Sequence, residues 1–290
     1  MSLSLLTDTF GFRAVWTPEL FALTVLIGIT YFLLVGPLRH TFADSQPVAA
    51  WRKGMFSIGL LLFYLGMGGP LNAAGHLLFS FHMFQQALLY LVMPLFILIG
   101  TPAWLQASLL AYKPVKRLVM FFSKPLLAMV LFNALFSFYH VPHILDAVMG
   151  NGALHNLVNL LLIVTAFLMW LPVISPLKEF NRLTELRKLG YMFANGVLIT
   201  PACALIIFAS APLYETYING PELLCTPFFA APMDKSMFTQ LLPLLDDQRL
   251  GGIVMKLMQE FTYGSVLAYI MKAWFQREKE VDELDQLQPE

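Results

Sequence analysis

Five of the six histidines in this sequence fall in three short stretches, His76 with His82, His140 with His143, and His155, and imidazoles so grouped can hold a metal or move a proton. His140 and His143, three apart, share a face if a helical turn continues through Pro142. His76 and Met83, seven apart, share one if their helix begins early, and His82 reaches Gln86 one turn on. Imidazole nitrogen combined with thioether sulfur suits copper, Cu(I) above all, better than Mg, Ca or Mn, which prefer oxygen. Met83 is the candidate methionine ligand, whereas Met67, Met93, Met129 and Met169 read as gap fillers. Cys203 and Cys225 form no CxxC or CxC pair, which excludes zinc ribbons, thioredoxin-like redox motifs and thiolate copper clips. Zinc stays open, although no GHExxH-like helix and no cysteine pair gives it a protease or structural template. The two cysteines could pair in an oxidising compartment, at a distance that the sequence does not set. In LLDDQRLGG, Asp246, Asp247 and Gln248 either cap a helix or, through Asp247, add a carboxylate to the metal site. Lys256 and Glu260, one turn apart, read best as mutually neutralising, ahead of a proton relay. Each outer histidine taken alone also fits an interfacial anchor with an apolar ring and a wet tip.

The elements that must position these residues are membrane helices. The chain has 290 residues, 58% hydrophobic and 12% charged, with mean hydropathy +0.69. A soluble domain carries roughly 25% charged residues, and a disordered chain needs fewer apolar ones, so both classes are excluded. With Lys plus Arg and Asp plus Glu equal at 18 each, no net basic surface recommends nucleic acid as a partner. The first residues carry Asp8 ahead of any Lys or Arg and lack the basic region of a signal peptide, so they read as mature protein.

A bilayer core takes roughly 20 apolar residues as helix. Seven runs qualify, over 18–36, 54–69, 82–100, 123–141, 154–172, 190–212 and 251–275. Alternate gaps hold Arg39, Arg52 and Lys53, then Lys113, Lys116, Arg117 and Lys124, then Lys178, Arg182, Arg187 and Lys188, then Lys272, Arg277 and Lys279. That is 14 of the 18 cationic residues, whereas the opposite gaps hold only Arg13, Lys235 and Arg249. The charge bias predicts an outer N-terminus, a cytoplasmic C-terminus, and the five clustered histidines on the outer side. His40, beside Arg39 at the cytoplasmic end of the first span, suits a helix C-terminus or a lipid headgroup. The expected organisation is an all-α, seven-helix transmembrane domain over 1–275 and a solvated acidic cytoplasmic tail over 276–290, disordered or a fraying helix. Between the third and fourth spans, TPAWLQASLLAYKPVKR predicts an interfacial helix with Thr101 as N-cap and Pro102 at its first position. The long outer loop over 213–250 is of a length usually associated with function, and the lack of internal repeats weighs against an inverted-repeat transporter.

The segment GHLLFSFHMFQQALLYLVMPLFILIGTPAW over 75–104, with GPLRH, FYHVPHILD and DQRLGG, resembles the CtaG-type family of cytochrome c oxidase assembly factors, multi-span bacterial membrane proteins. The resemblance runs through nearly the whole chain, and its most specific part is the GHxxFSxHMxQ block. It implies a place in the bacterial cell membrane, a role in making caa3-type oxidase, the oxidase catalytic subunit as partner, and formation of the copper centre CuB. By position in the motif blocks, the family's characteristic histidines correspond to His40, His76, His82, His140 and His155, with Met83 and Asp247 in the same blocks.

The expectation is therefore an outer copper site drawn from His76, His82, Met83, His140, His143, His155 and Asp247, in a protein that is not an enzyme because no nucleophile, base and oxyanion-donor set is visible. Homo-oligomer formation stays open. Two other readings compete: a haem-binding or redox membrane protein, since paired histidines also ligate haem, and a transporter or receptor with Lys256, Glu260, Asn133 and Asn195 along its polar path.

Overall fold

The computed structural model describes residues 3–220, 223–226, 228, 230–232 and 242–287. Two short helices, α1 (Leu3–Phe10) and α2 (Phe12–Trp16), lead into α3 (Pro18–Val35), and α4 (Ala50–Met67) follows. The third hydrophobic run is divided into α5 (Pro70–Leu77), α6 (Phe79–Ala87), a π-turn (Leu88–Val92) and α7 (Met93–Gly100). Next come α8 (Ala103–Leu109), α9 (Lys113–Phe122), α10 (Pro125–Tyr139), α11 (Pro142–Met149), α12 (Gly152–Ile174), α13 (Glu185–Ile207) and α14 (Glu215–Ile218). A two-stranded hairpin, β1 (Leu223–Cys225) against β2 (Ala230–Pro232), precedes the long α15 (Leu244–Leu287). The described residues are all-α apart from this hairpin.

Among the described residues, five helical segments are long and apolar enough to cross a membrane: Phe12–Val35, Ala50–Leu77, Phe79–Gly100, Gly152–Ile174 and Glu185–Ile207. Lys113–Phe122 and Pro125–Tyr139, bent by 76°, form a sixth if taken as one span. The expected seventh run lies within α15, where Lys256, Gln259 and Glu260 dilute the apolar character. α15 nevertheless packs along α13 and α6 and buries Met255, Gln259, Tyr263, Val266 and Ile270. The segment Phe79–Gly100 is the most deeply buried of the five and Phe12–Val35 the least. α3 accordingly leans on α4 and turns Phe21, Leu26, Ile29 and Phe32 outward.

Several expected boundaries move for identifiable reasons. The third span is not one continuous helix. Pro94 has no N–H to offer the Tyr90 carbonyl, the helix widens to i→i−5 bonding with the Met93 N–H on the Leu88 carbonyl, and the Trp170 indole donates to Tyr90 O at 3.4 Å. Pro172 and Pro201 lie inside α12 and α13 and do not end them. Thr101 does not cap α8: it follows α7, its hydroxyl donates to Ile97 O at 2.7 Å, and Pro102 holds the capping position. The tail is not frayed over 276–287, because α15 continues through Leu287; residues 288–290, like Lys235 of the outer loop, lie outside the described residues.

Candidate functional site

The site begins where the helix breaks at Leu78, whose backbone is extended between α5 and α6. A helix start leaves N–H groups without partners. Asp247 from the first turn of α15 supplies the acceptors: Oδ2 takes the Phe79 N–H at 2.6 Å, and Oδ1 takes the Ser80 N–H at 3.2 Å and the Ser80 hydroxyl at 2.5 Å. The break sets His76 in the last turn of α5 and His82 in the first turns of α6, so His76 and Met83 do not share one continuous helix face.

Four histidines converge here. His76, His82, His140 and His155 are 2%, 3%, 5% and 4% exposed, whereas His143 is exposed on α11. His76 and His155 meet edge to face with ring centroids 5.7 Å apart, and His82 and His140 lie 6.4 Å apart. Tyr139 and Tyr217 each approach the His82 ring, with centroids 6.0 and 6.4 Å away. His140 and His143 are separated because α10 ends at Tyr139 and a new helix starts at Pro142. His40 is exposed just beyond the far end of α3.

The nitrogen lone pairs distinguish these imidazoles. His76 Nδ1 lies 2.9 Å from Asn72 O, and its Nε2 accepts the Cys225 N–H at 3.1 Å. Asn72 Nδ2 in turn donates to Cys225 O at 3.0 Å, so residues one turn apart on α5 clamp both backbone groups of one β1 residue. Both nitrogens of His76 are thus committed to structure. His140 differs: Nδ1 bonds Phe136 O at 2.7 Å, while Nε2 is buried and has no hydrogen-bond partner among the described residues. His82 Nε2 lies 3.0 Å from Gln86 Nε2 and 3.4 Å from Tyr139 Oη, and Gln86 Oε1 is a second buried acceptor without a partner. Asn159 Nδ2 stands 3.3 Å from His155 Nε2 and its Oδ1 accepts from Tyr90 Oη at 2.8 Å. Buried polar groups are nearly always paired, so the two acceptors near His82 that lack a partner among the described residues can take an electron-pair acceptor or a proton donor.

Among the described residues, no three His, Cys, Asp or Glu side chains are grouped closely enough to hold a metal ion. Two members of the expected set have other duties. Asp247 is bound to the start of α6, and Met83 packs towards α15, where a Cβ on Gly251 would come within 3.1 Å of its Cγ. Cys203 and Cys225 are buried free thiols, and burial pushes the Cys225 thiol up to about 11. The Lys256 ammonium meets Glu260 at 2.6 Å, Thr200 Oγ1 at 2.9 Å and Gln259 Oε1 at 2.8 Å; the pair neutralises itself, and Glu260 faces outward rather than into a path. Asn133 Nδ2 donates to Asn195 Oδ1 at 2.8 Å, linking α10 and α13.

One pattern, read from the sequence only for His82 with Gln86, joins these contacts. Asn72 precedes His76, Gln86 follows His82 and Asn159 follows His155, each by four residues, so an amide lies one turn from three of the four buried imidazoles. Tyr139, Tyr217 and Cys225 carry no comparable local signal, because they arrive from distant elements.

No curated protein and no solved structure gives a significant match to this chain. Residues 29–277, which run from the last two turns of α3 through most of α15 and include all four buried histidines, match the model of one family. The chain belongs to the cytochrome c oxidase caa3 assembly factor family.

Proposed function

We propose that this assembly factor handles Cu(I) for the CuB centre of the oxidase, binding it at the end of the bundle where His82 and His140 face one another. The observation that carries the reading is the His140 Nε2, a buried imidazole lone pair with no partner among the described residues, on a ring whose orientation Phe136 O fixes. His82 stands across from it, and His155 approaches through its contact with His76. Imidazole donors suit Cu(I), and a set of so few would hold it without closing a cage, which favours release by ligand exchange. His76 positions the site by holding β1, and Asp247 by holding α6. Met83, His143 and His40 stand outside the donor set in this reading. The protein carries cargo and turns over no substrate.

The reading takes the chain as a multi-pass protein of the bacterial cytoplasmic membrane with seven spans, α15 supplying the seventh because it lies against α13 and α6 within the bundle. The histidine end then faces outward, on the side poor in Lys and Arg. A donor there meets the oxidase catalytic subunit laterally and moves no charge through the bilayer, where it is costly. A reporter active only outside the cytoplasm is expected to work when fused after Met149 and to fail after Lys113; the reverse pattern overturns the orientation. For the function, oxidase purified from a deletion strain is expected to retain its haems with CuB depleted. Full copper with haem missing would replace the proposal with haem delivery, and a fully metallated but unassembled enzyme would replace it with a scaffold role.

A further inference from the structure

The end of the bundle opposite the histidines is hollow. A cavity of about 760 Å³ opens between α4, α7, α12, α13 and α15. Its wall is apolar, formed by residues such as Met55, Phe96, Val173, Phe261 and Val266, and Arg52, Lys188 and Arg277 are set around it with Glu185 as the one carboxylate among the lining residues. Glu185 is shared between two cations: Oε1 takes Arg277 Nη1 at 2.7 Å, and Oε2 stands 3.4 Å from Lys188 Nζ. The Arg52 guanidinium rests over the Trp51 ring, 5.3 Å from its centroid. Three cations against one carboxylate leave a surplus of two positive charges, and one of the cations, Lys188, is only 6% exposed. A buried ammonium with one long contact is costly unless a further anion compensates it.

We propose that this cavity binds one anionic phospholipid, with its phosphate among Arg52, Lys188 and Arg277 and an acyl chain along the apolar wall. A soluble anion makes no use of the wall, and a neutral lipid makes no use of the charge surplus. Basic pockets between membrane helices bind acidic headgroups for this combination of reasons, and the volume is that of a ligand site rather than a packing defect. The assignment is independent of the copper reading, since the cavity shares no residue with the histidine cluster.

The test is native mass spectrometry of the full chain in mild detergent, offered phosphatidylglycerol and phosphatidylcholine in equal amounts. One phosphatidylglycerol per chain is expected to be retained in preference. The R52Q/R277Q double variant should weaken that retention roughly ten- to thirty-fold, at about one ordinary headgroup-to-cation attraction per charge removed. Ala273→Trp, which fills the wall and keeps every charge, should weaken it too, and circular dichroism of each variant reports that the helices persist. Equal retention of the two lipids, or retention unchanged in the double variant, overturns the proposal. Stabilisation by inorganic phosphate equal to that by phosphatidylglycerol would overturn the lipid as ligand and leave an anion site.

Discussion

The two ends of this bundle bury polar groups in opposite ways. At the histidine end, neutral imidazoles, amides and phenols pack around one another, and the void beside Asp247, Tyr214 and Tyr217 measures only about 10 Å³. At the other end, cations surround a hollow of about 760 Å³. The first arrangement hides lone pairs and the second holds excess charge over an apolar space. Neutral imidazole donors suit a soft ion that must leave again, whereas a cation-rich, open cavity suits an occupant that brings its own anion. The difference makes the histidine end sensitive to lost hydrogen bonds and added atoms, and the basic end tolerant of both.

The largest expected effect on stability is at the junction of α5 and α6. Asp247→Ala strips the acceptor from two backbone N–H groups and a hydroxyl, all buried. A loss of about 2–4 kcal/mol is expected, read as a lower melting temperature in detergent, with Asp247→Asn intermediate because its amide oxygen can still accept. An Asp247→Ala protein as stable as the original would remove the capping role and return this carboxylate to the metal set.

That junction also shows what the sequence makes legible. The apolar runs and the side-by-side alternation of Lys and Arg mark the main helices and bring His76, His82, His140 and His155 to one end. The helix break after Tyr139 has a local signal in Pro142, whereas the break at Leu78 is a tertiary outcome, stabilised by Asp247 from 168 residues away in sequence. The same holds for lone-pair occupancy. Nothing near His76 in sequence announces that Cys225 occupies its Nε2, and nothing near His140 announces that its own Nε2 is left alone. The seventh run is legible over 251–275 in the sequence, but within α15 the Lys256 and Glu260 pair lowers its hydropathy.

A paired substitution sharpens the contrast in packing. Gly251→Ala at the histidine end brings a Cβ within 2.6 Å of the Phe79 ring and is expected to cost about 1–3 kcal/mol. Ala273→Leu, beside the cavity, should stay within about 0.5 kcal/mol. Equal melting shifts for the two would erase the difference between a tight and a hollow end.

Smaller effects follow. Glu260→Gln should change stability by about 0.5 kcal/mol or less, because the ion pair is half in contact with its surroundings; a large loss would mean that the pair sits deeper than its exposure indicates. Cys225, with its thiol raised to about 11 by burial, should stay protonated and resist alkylation in the native protein at pH 8, reacting faster only as the pH approaches that value or when the chain unfolds. Rapid labelling at pH 8 would show that β1 does not stay clamped on His76 and Asn72.

Anaerobic Cu(I) titration against a competing chelator, on the full chain and its single-histidine variants, bears most directly on the copper proposal. About one tightly held Cu(I) per chain is expected. His82→Ala and His140→Ala should each remove most of the affinity, His76→Ala should weaken it by roughly tenfold through lost positioning, and His143→Ala and His40→Ala should leave it unchanged. Copper held as tightly by the His82→Ala/His140→Ala double variant, or no Cu(I) bound by the original chain, would contradict the account.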